Sequence, residues 1–216
     1  MTVTVDAIDV ADPPEAWAPA GFSVDSDGTE DPICRVGGVR IRLVGRGQGT
    51  GILGWSLRGL PSDGAVDDLD GIPTRRSERA TTEPATHPNG VVAIDHVVLM
   101  SPDLDRTVTS MAAIGVAPRR ERDGELGGRR IRQIFFRLGE VILEVVGSPE
   151  SMSDGPSTLW GITYVTTDLD ATARFFGDHT GPVKDAVQPG RRITTLRHRD
   201  PGMSVPTAVI SATPRR

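Results

Sequence analysis

The sequence predicts an α+β fold of repeated βαβββ modules, two of which pair into an open β cup. Two recurring landmarks and one recurring order of elements predict it. An apolar strand followed by Asp-Leu-Asp occurs at Ile94-Asp95-His96-Val97-Val98-Leu99 with Asp103-Leu104-Asp105. It recurs at Trp160-Gly161-Ile162-Thr163-Tyr164-Val165 with Asp168-Leu169-Asp170. A Gly-Arg-Arg-Ile run then follows in each copy, at 128–131 and at 190–193. Shared landmarks in one order and at nearly one separation mark an internal repeat. Within each copy a strand, an amphipathic helix and short strands succeed one another.

Residues 1–60 read as a degenerate N-terminal half-module. Val3 to Val10 is a strand, Asp12-Pro13-Pro14-Glu15 opens a short helix with proline in its first turn, and 36–44 and 52–57 are strands. Residues 61–90, rich in Pro, Gly, Asp, Thr and Arg without periodicity, read as a linker, with some order expected around Leu69 to Pro73. Residues 91–212 form the paired domain, with modules 91–150 and 157–212. In each module an aspartate of Asp-Leu-Asp is positioned to cap the helix by accepting its first free N–H groups. Leu104, Val108 and Met111 make one apolar stripe, and Leu169, Ala173 and Phe176 the other. Gly115 and Gly177 are helix stops. Strands follow at 117–121, 130–138 and 141–146 in the first module, and at 184–187, 192–198 and 207–211 in the second.

Length and composition fit a globular chain: 216 residues, 37% hydrophobic, formal net charge −5. The acidic balance argues against general nucleic-acid binding. Of 24 basic residues only Lys184 is a lysine, which reads as codon bias or as arginines that clamp anions. Cys34 is the single cysteine, so no internal disulfide forms. The first residues lack a charged n-region and an apolar h-region, and no apolar run is long enough for a bilayer. The expectation is a cytoplasmic protein without membrane contact.

Two residues stand out chemically. His96 lies in an apolar strand, where period-two alternation puts it on one face with Ile94 and Val98. Glu144 is the only charge in Val141-Ile142-Leu143-Glu144-Val145-Val146, and a carboxylate there needs water, a partner or a cation. They are the candidate catalytic residues. An imidazole nitrogen with a carboxylate oxygen also suits Zn, Mn, Ni or Fe. Phe135, Trp160, Tyr164 and Arg192 are candidate substrate contacts, each with core packing or a solvated strand start as its plainer explanation.

The first-strand histidine, the Asp-Leu-Asp helix start and the last-strand glutamate resemble the vicinal-oxygen-chelate superfamily. That group includes glyoxalase I, methylmalonyl-CoA epimerase, extradiol dioxygenases and metal-free antibiotic-binding proteins. The layout is similar to glyoxalase-like proteins of actinobacteria. The resemblance implies a cup in which a divalent metal holds two substrate oxygens, and it assigns His96 and Glu144 as metal ligands. It also implies a small-molecule enzyme: a metal-assisted lyase, isomerase or dioxygenase. The alternative is a metal-free protein that sequesters a small molecule in the same cup. The second module departs from the pattern, with Gly161 at the histidine position and no carboxylate in its last strand. In the first 60 residues Ala7 and the 54–55 region fall at the ligand positions. Three accounts of the deficit stand: a homodimer that shares ligands, an amide oxygen from Gln133, or no metal, with His96 and Glu144 as an acid–base pair.

Overall fold

The computed structural model describes residues 2–25, 31–62, 66–150 and 152–213. In chain order the strands and helices are β1 (Thr4–Val10), α1 (Pro14–Trp17), β2 (Ile33–Val36), β3 (Val39–Leu43), β4 (Ile52–Arg58), β5 (Asp68–Leu69) and β6 (Ile72–Arg76). The second half holds β7 (Val91–Met100), α2 (Leu104–Ala113), β8 (Arg120–Leu126), β9 (Arg129–Leu138), β10 (Val141–Gly147), β11 (Thr158–Thr166), α3 (Leu169–Phe176), β12 (Lys184–Asp185), β13 (Arg192–Leu196) and β14 (Thr207–Ser211).

The second half is the expected pair of βαβββ modules. In each, the first strand lies parallel to the last (β7 with β10, β11 with β14), and the middle strands extend outward antiparallel. The modules join through antiparallel β7 and β11, giving one eight-stranded sheet in the order β12-β13-β14-β11-β7-β10-β9-β8. Both helix caps form as the sequence requires. Asp103 accepts from the Arg106 N–H at 3.0 Å and Asp168 from the Ala171 N–H at 2.9 Å. Gly115 closes α2 at φ +76°, a conformation that favours glycine.

The buried helix stripes differ by one position from those expected: Leu104, Thr107 and Met111, and Leu169, Thr172 and Phe176. The threonines are buried because their hydroxyls have partners. Thr107 Oγ1 meets Ser101 Oγ at 2.7 Å, and Thr172 Oγ1 meets Thr166 Oγ1 at 2.9 Å. Each pair ties a helix to the end of its own first strand.

The first half departs from a single degenerate copy. Its six strands run β2-β3-β1-β4-β6-β5, with β1 parallel to β3, β4 parallel to β6, and β1 antiparallel to β4. That is the plan of the eight-stranded sheet in reduced form: a module of β1-α1-β2-β3 joined to one of β4-β5-β6 with no helix among its described residues. Two strands therefore lie inside the stretch expected as linker. The β5–β6 turn is held by Asp70, whose carboxylate accepts from Arg106, Thr107 and Ser157. Val205-Pro206-Thr207 at the start of β14 recurs as Ile72-Pro73-Thr74 in β6, each with the threonine hydroxyl on the carbonyl two residues back.

One continuous hydrophobic cluster unites the halves, from Ile8, Trp17 and Trp55 to Leu99, Phe136, Leu143 and Val209. Asp12 is wholly buried at this junction. It accepts from Trp17 Nε1 at 3.1 Å and from the Ser204 N–H at 2.9 Å, linking α1 to the second half. Among the described residues no helix is long and apolar enough to cross a membrane.

Candidate functional site

Strand β7 sends Val91, Ile94, Val97 and Leu99 into the core. His96 and Val98 lie on the other face, but Ile94 does not join them as simple alternation requires. Thr163 pairs with His96 and Tyr164 with Ile94, so Asp95 is an extra residue in β7. Such a β-bulge re-aims side chains. Here it brings the neighbouring side chains of Asp95 and His96 into contact, Nδ1 of His96 donating to Asp95 Oδ2 at 2.8 Å.

Glu144 reaches the same place from β10. It pairs directly with Val98 on one side and Phe135 on the other, two residues along the strand from Ile142, the partner of His96. Its Oε2 lies 3.4 Å from His96 Nε2. Gln133 Nε2 donates to its Oε1, and Arg122 Nε donates to Gln133 Oε1 at 2.9 Å. At the other end Arg191 Nη1 donates to Asp95 Oδ1 at 2.6 Å, and its Nε to the Ser211 carbonyl at 2.6 Å. A polar chain thus crosses the sheet from Arg122 through Gln133, Glu144, His96 and Asp95 to Arg191.

Burial pushes the Asp95 carboxyl up, but the hydrogen bonds from His96 and Arg191 and their charges outweigh it, so Asp95 sits below the usual carboxylate range. An ionised Asp95 fixes the His96 Nδ1–H and aims Nε2 at Glu144. The imidazole nitrogen and the carboxylate oxygen therefore face each other directly. The separation is longer than a good N–H···O bond and leaves room to tighten around a bound molecule.

Several solved structures share this architecture. A triple mutant of 4-hydroxymandelate synthase from Streptomyces coelicolor matches the whole chain over 94% of its own length, at TM-score 0.69 and 14% identity. A catechol 2,3-dioxygenase matches 99% of the chain over 90% of its own, at TM-score 0.61 and 12% identity. A fusion of a xylose isomerase-like TIM barrel with 4-hydroxyphenylpyruvate dioxygenase matches the whole chain over 49% of its own, at TM-score 0.65 and 14% identity. The chain has the vicinal-oxygen-chelate fold. No family model matches the sequence, and no curated protein resembles it significantly.

On this fold the ligand positions of the second module are closed for a structural reason. A Cβ at Gly161 would lie 2.8 Å from the Pro206 carbonyl oxygen, so no histidine fits there. Ala208 pairs with Thr163 as Glu144 pairs with Val98, which puts alanine at the carboxylate position. Gln133 turns its nitrogen to Glu144, and Arg122 holds its oxygen. Asp95 is engaged by His96 Nδ1 and Arg191. Among the described residues no group of three or more His, Cys, Asp or Glu side chains is arranged to hold a metal ion. The donor set of one chain therefore does not fit a metal centre.

Of the other candidates, Phe135 lies beside Glu144 with the Arg120 guanidinium 5.8 Å from its ring centroid. Trp160 is a bulged, half-exposed residue at the far end of β11. Tyr164 is fully buried beside Phe22, ring centroids 5.1 Å apart, and does not line the cup. Arg192 points outward to Asp170 on α3 at 2.7 Å, whereas its neighbour Arg191 enters the site. Nothing in the sequence separates Arg191 from Arg192, and Asp95 carries no mark of its own. Asp95 stands beside His96 in the strand, and only the bulge puts the two on one face.

Proposed function

We propose that the chain is a small-molecule enzyme that works in the eight-stranded cup, with His96 and Glu144 as the pair that holds and moves a proton. The observation that carries this reading is the 3.4 Å approach of His96 Nε2 to Glu144 Oε2, with His96 held from behind by Asp95 and Arg191. This is the arrangement of a general acid–base residue with an orienting carboxylate. Glu144 would take or give the proton, His96 would hold it between steps, and Phe135 and Val98 would supply apolar wall. The chemistry that needs only this is proton transfer at a carbon acid, as in an isomerase or lyase. The donors of one chain do not suffice for a metal centre.

The fold is shared with proteins named as a synthase and as dioxygenases, which supports an enzyme. A metal-free binding protein is the second reading, favoured by the engagement of both Glu144 oxygens. Two measurements test the proposal. Metal content of native protein, beside His96→Ala and Glu144→Ala, is expected to show no stoichiometric transition metal. A metal present in the wild type and lost in both variants would instead establish a shared-ligand site. Incubation in D2O with a panel of small α-hydrogen ketones, keto acids and thioesters is expected to show exchange that Glu144→Gln abolishes. Saturable ligand binding with no exchange or turnover would favour the sequestering protein.

A further inference from the structure

The six-stranded sheet repeats the plan of the eight-stranded one, and its equivalent face carries a different set of side chains. Asp6 is an extra residue in β1, between the pairs Val5–Leu57 and Ala7–Ser56, as Asp95 is in β7. Ala7 pairs with Arg40 as His96 pairs with Ile142, and Asp9 pairs with Arg42 as Val98 pairs with Glu144. An arginine therefore stands at the position that Glu144 holds in the other sheet. A cavity of about 510 Å³ opens on this face, lined by five arginines against two acids, Asp6 and Glu78.

Two buried aspartates anchor the arginines from below. Asp6 accepts from Arg40, from Arg58 and from Ser77 Oγ at 2.6 Å. Asp9 accepts from Arg42 Nε at 2.6 Å and from Arg75. One guanidinium would neutralise each carboxylate, and here each has two. Counting Asp9 and Arg58 with the lining residues and leaving Arg79 out gives five arginines to three acids among the described residues, an excess of positive charge held on the sheet. Exposure grades outward, from 14% and 17% for the side chains of Arg40 and Arg58 to 55% for Arg75. Arg75, the outer guanidinium, lines the cavity, and among the described residues Asp9 takes one of its five donors. Donors fixed before a ligand arrives lose little entropy on binding, and guanidinium geometry matches phosphoryl and carboxylate oxygens. A cavity of this volume admits a small molecule.

We propose that this second cup binds a small polyanion, one that carries several phosphoryl or carboxylate oxygens. The site is separate from the His96–Glu144 cup and does not depend on the reaction there. The test is isothermal titration of the full chain with pyrophosphate and, separately, with citrate, at fixed ionic strength. The expected result is one saturable site for at least one anion, the preferred one showing whether phosphoryl or carboxylate oxygens are the natural fit. Arg75→Gln is expected to weaken binding about tenfold or more, which is about 1.4 kcal/mol, and Arg75→Lys to weaken it less. Glu78→Gln, which removes an acid from the lining, is expected to tighten binding, so the proposal does not hang on a variant that loses function. Arg130→Gln, remote and paired with Glu150, is expected to change nothing. Absence of saturable binding by either anion up to about 10 mM would overturn the proposal. Equal affinity in wild type, Arg75→Gln and Glu78→Gln would overturn it as well.

Discussion

Replacing Asp95 by Asn removes the charge that fixes one end of the candidate site, and the structure sets the size of the effect. The Asp95 and Arg191 side chains are each 10% exposed, so their ion pair is largely out of water. Removing one partner of a buried pair costs about 3–5 kcal/mol when the other charge is stranded. Arg191 is not wholly stranded, because its Nε still donates to the Ser211 carbonyl, and Asn keeps one acceptor oxygen. We therefore expect a loss of about 2–3 kcal/mol. In urea at pH 7, with a slope of about 2–3 kcal/mol/M for a chain of this size, the midpoint should fall by about 1 M at unchanged slope. The pH dependence has a definite sign. The folded pKa of Asp95 lies below its unfolded value, so its contribution is fully present above the unfolded value of about 3.9 and is lost as pH falls through the folded one. The gap between wild type and Asp95→Asn should be constant near neutrality and should close in acid. A loss under about 0.5 kcal/mol at pH 7 would refute the reasoning, because an exposed pair would behave that way.

Three further predictions concern the frame of the site. Gly161→Ala should destabilise by about 1–3 kcal/mol, since its Cβ meets the Pro206 carbonyl at 2.8 Å; an unchanged Tm would show that the second ligand position is open after all. Tyr164→Phe should leave stability unchanged or raise it by about 1 kcal/mol, because its buried hydroxyl has no hydrogen-bond partner among the described residues; a clear loss in chemical denaturation would reveal one. His87 accepts the Ser23 N–H on Nδ1 at 3.0 Å and approaches the Arg35 carbonyl through Nε2 at 3.1 Å, which requires the neutral ring. Burial, the largest cause, lowers its pKa, so its contribution is complete above about 6.5 and fades as pH falls through the lower folded value. The wild-type Tm should drop between pH 7 and 5, and His87→Gln should flatten that drop.

The modules of the second half were legible because their signals are local. A capping aspartate, an apolar stripe and a glycine stop each act within a few residues, and together they place β7 through β14. The partial misreading of the first half has a physical cause. Among the described residues its second unit has no helix, its Asp68-Leu69-Asp70 forms strand β5 and the turn after it instead of opening a helix, and its strands β5 and β6 are too short for periodicity to register. A signal was nonetheless present in Ile72-Pro73-Thr74 against Val205-Pro206-Thr207. A second lay in Ser101 and Thr107 against Thr166 and Thr172, the same spacing between the end of a strand and a helix.

The site itself was half legible, and the missing half depends on a feature that alternation hides. His96 and Glu144 stand out because each is polar in an apolar strand. Asp95 does not, because in a regular strand it would face away from His96, and Arg191 and Arg192 exchange faces without any local sign. One extra residue in β7 reverses the first of these expectations. The same device at Asp6 in β1 shows that the bulge belongs to the plan of the module and not to one chemistry. Each sheet uses it to place an aspartate under its cup, and what the aspartate holds then differs. In one sheet it orients a histidine opposite a glutamate. In the other it anchors two arginines, and Arg42 occupies the glutamate's place. The two sheets share the geometry of the cup and differ in the side chains that line it, a histidine–glutamate pair held between two arginines in one and an arginine cluster over two aspartates in the other.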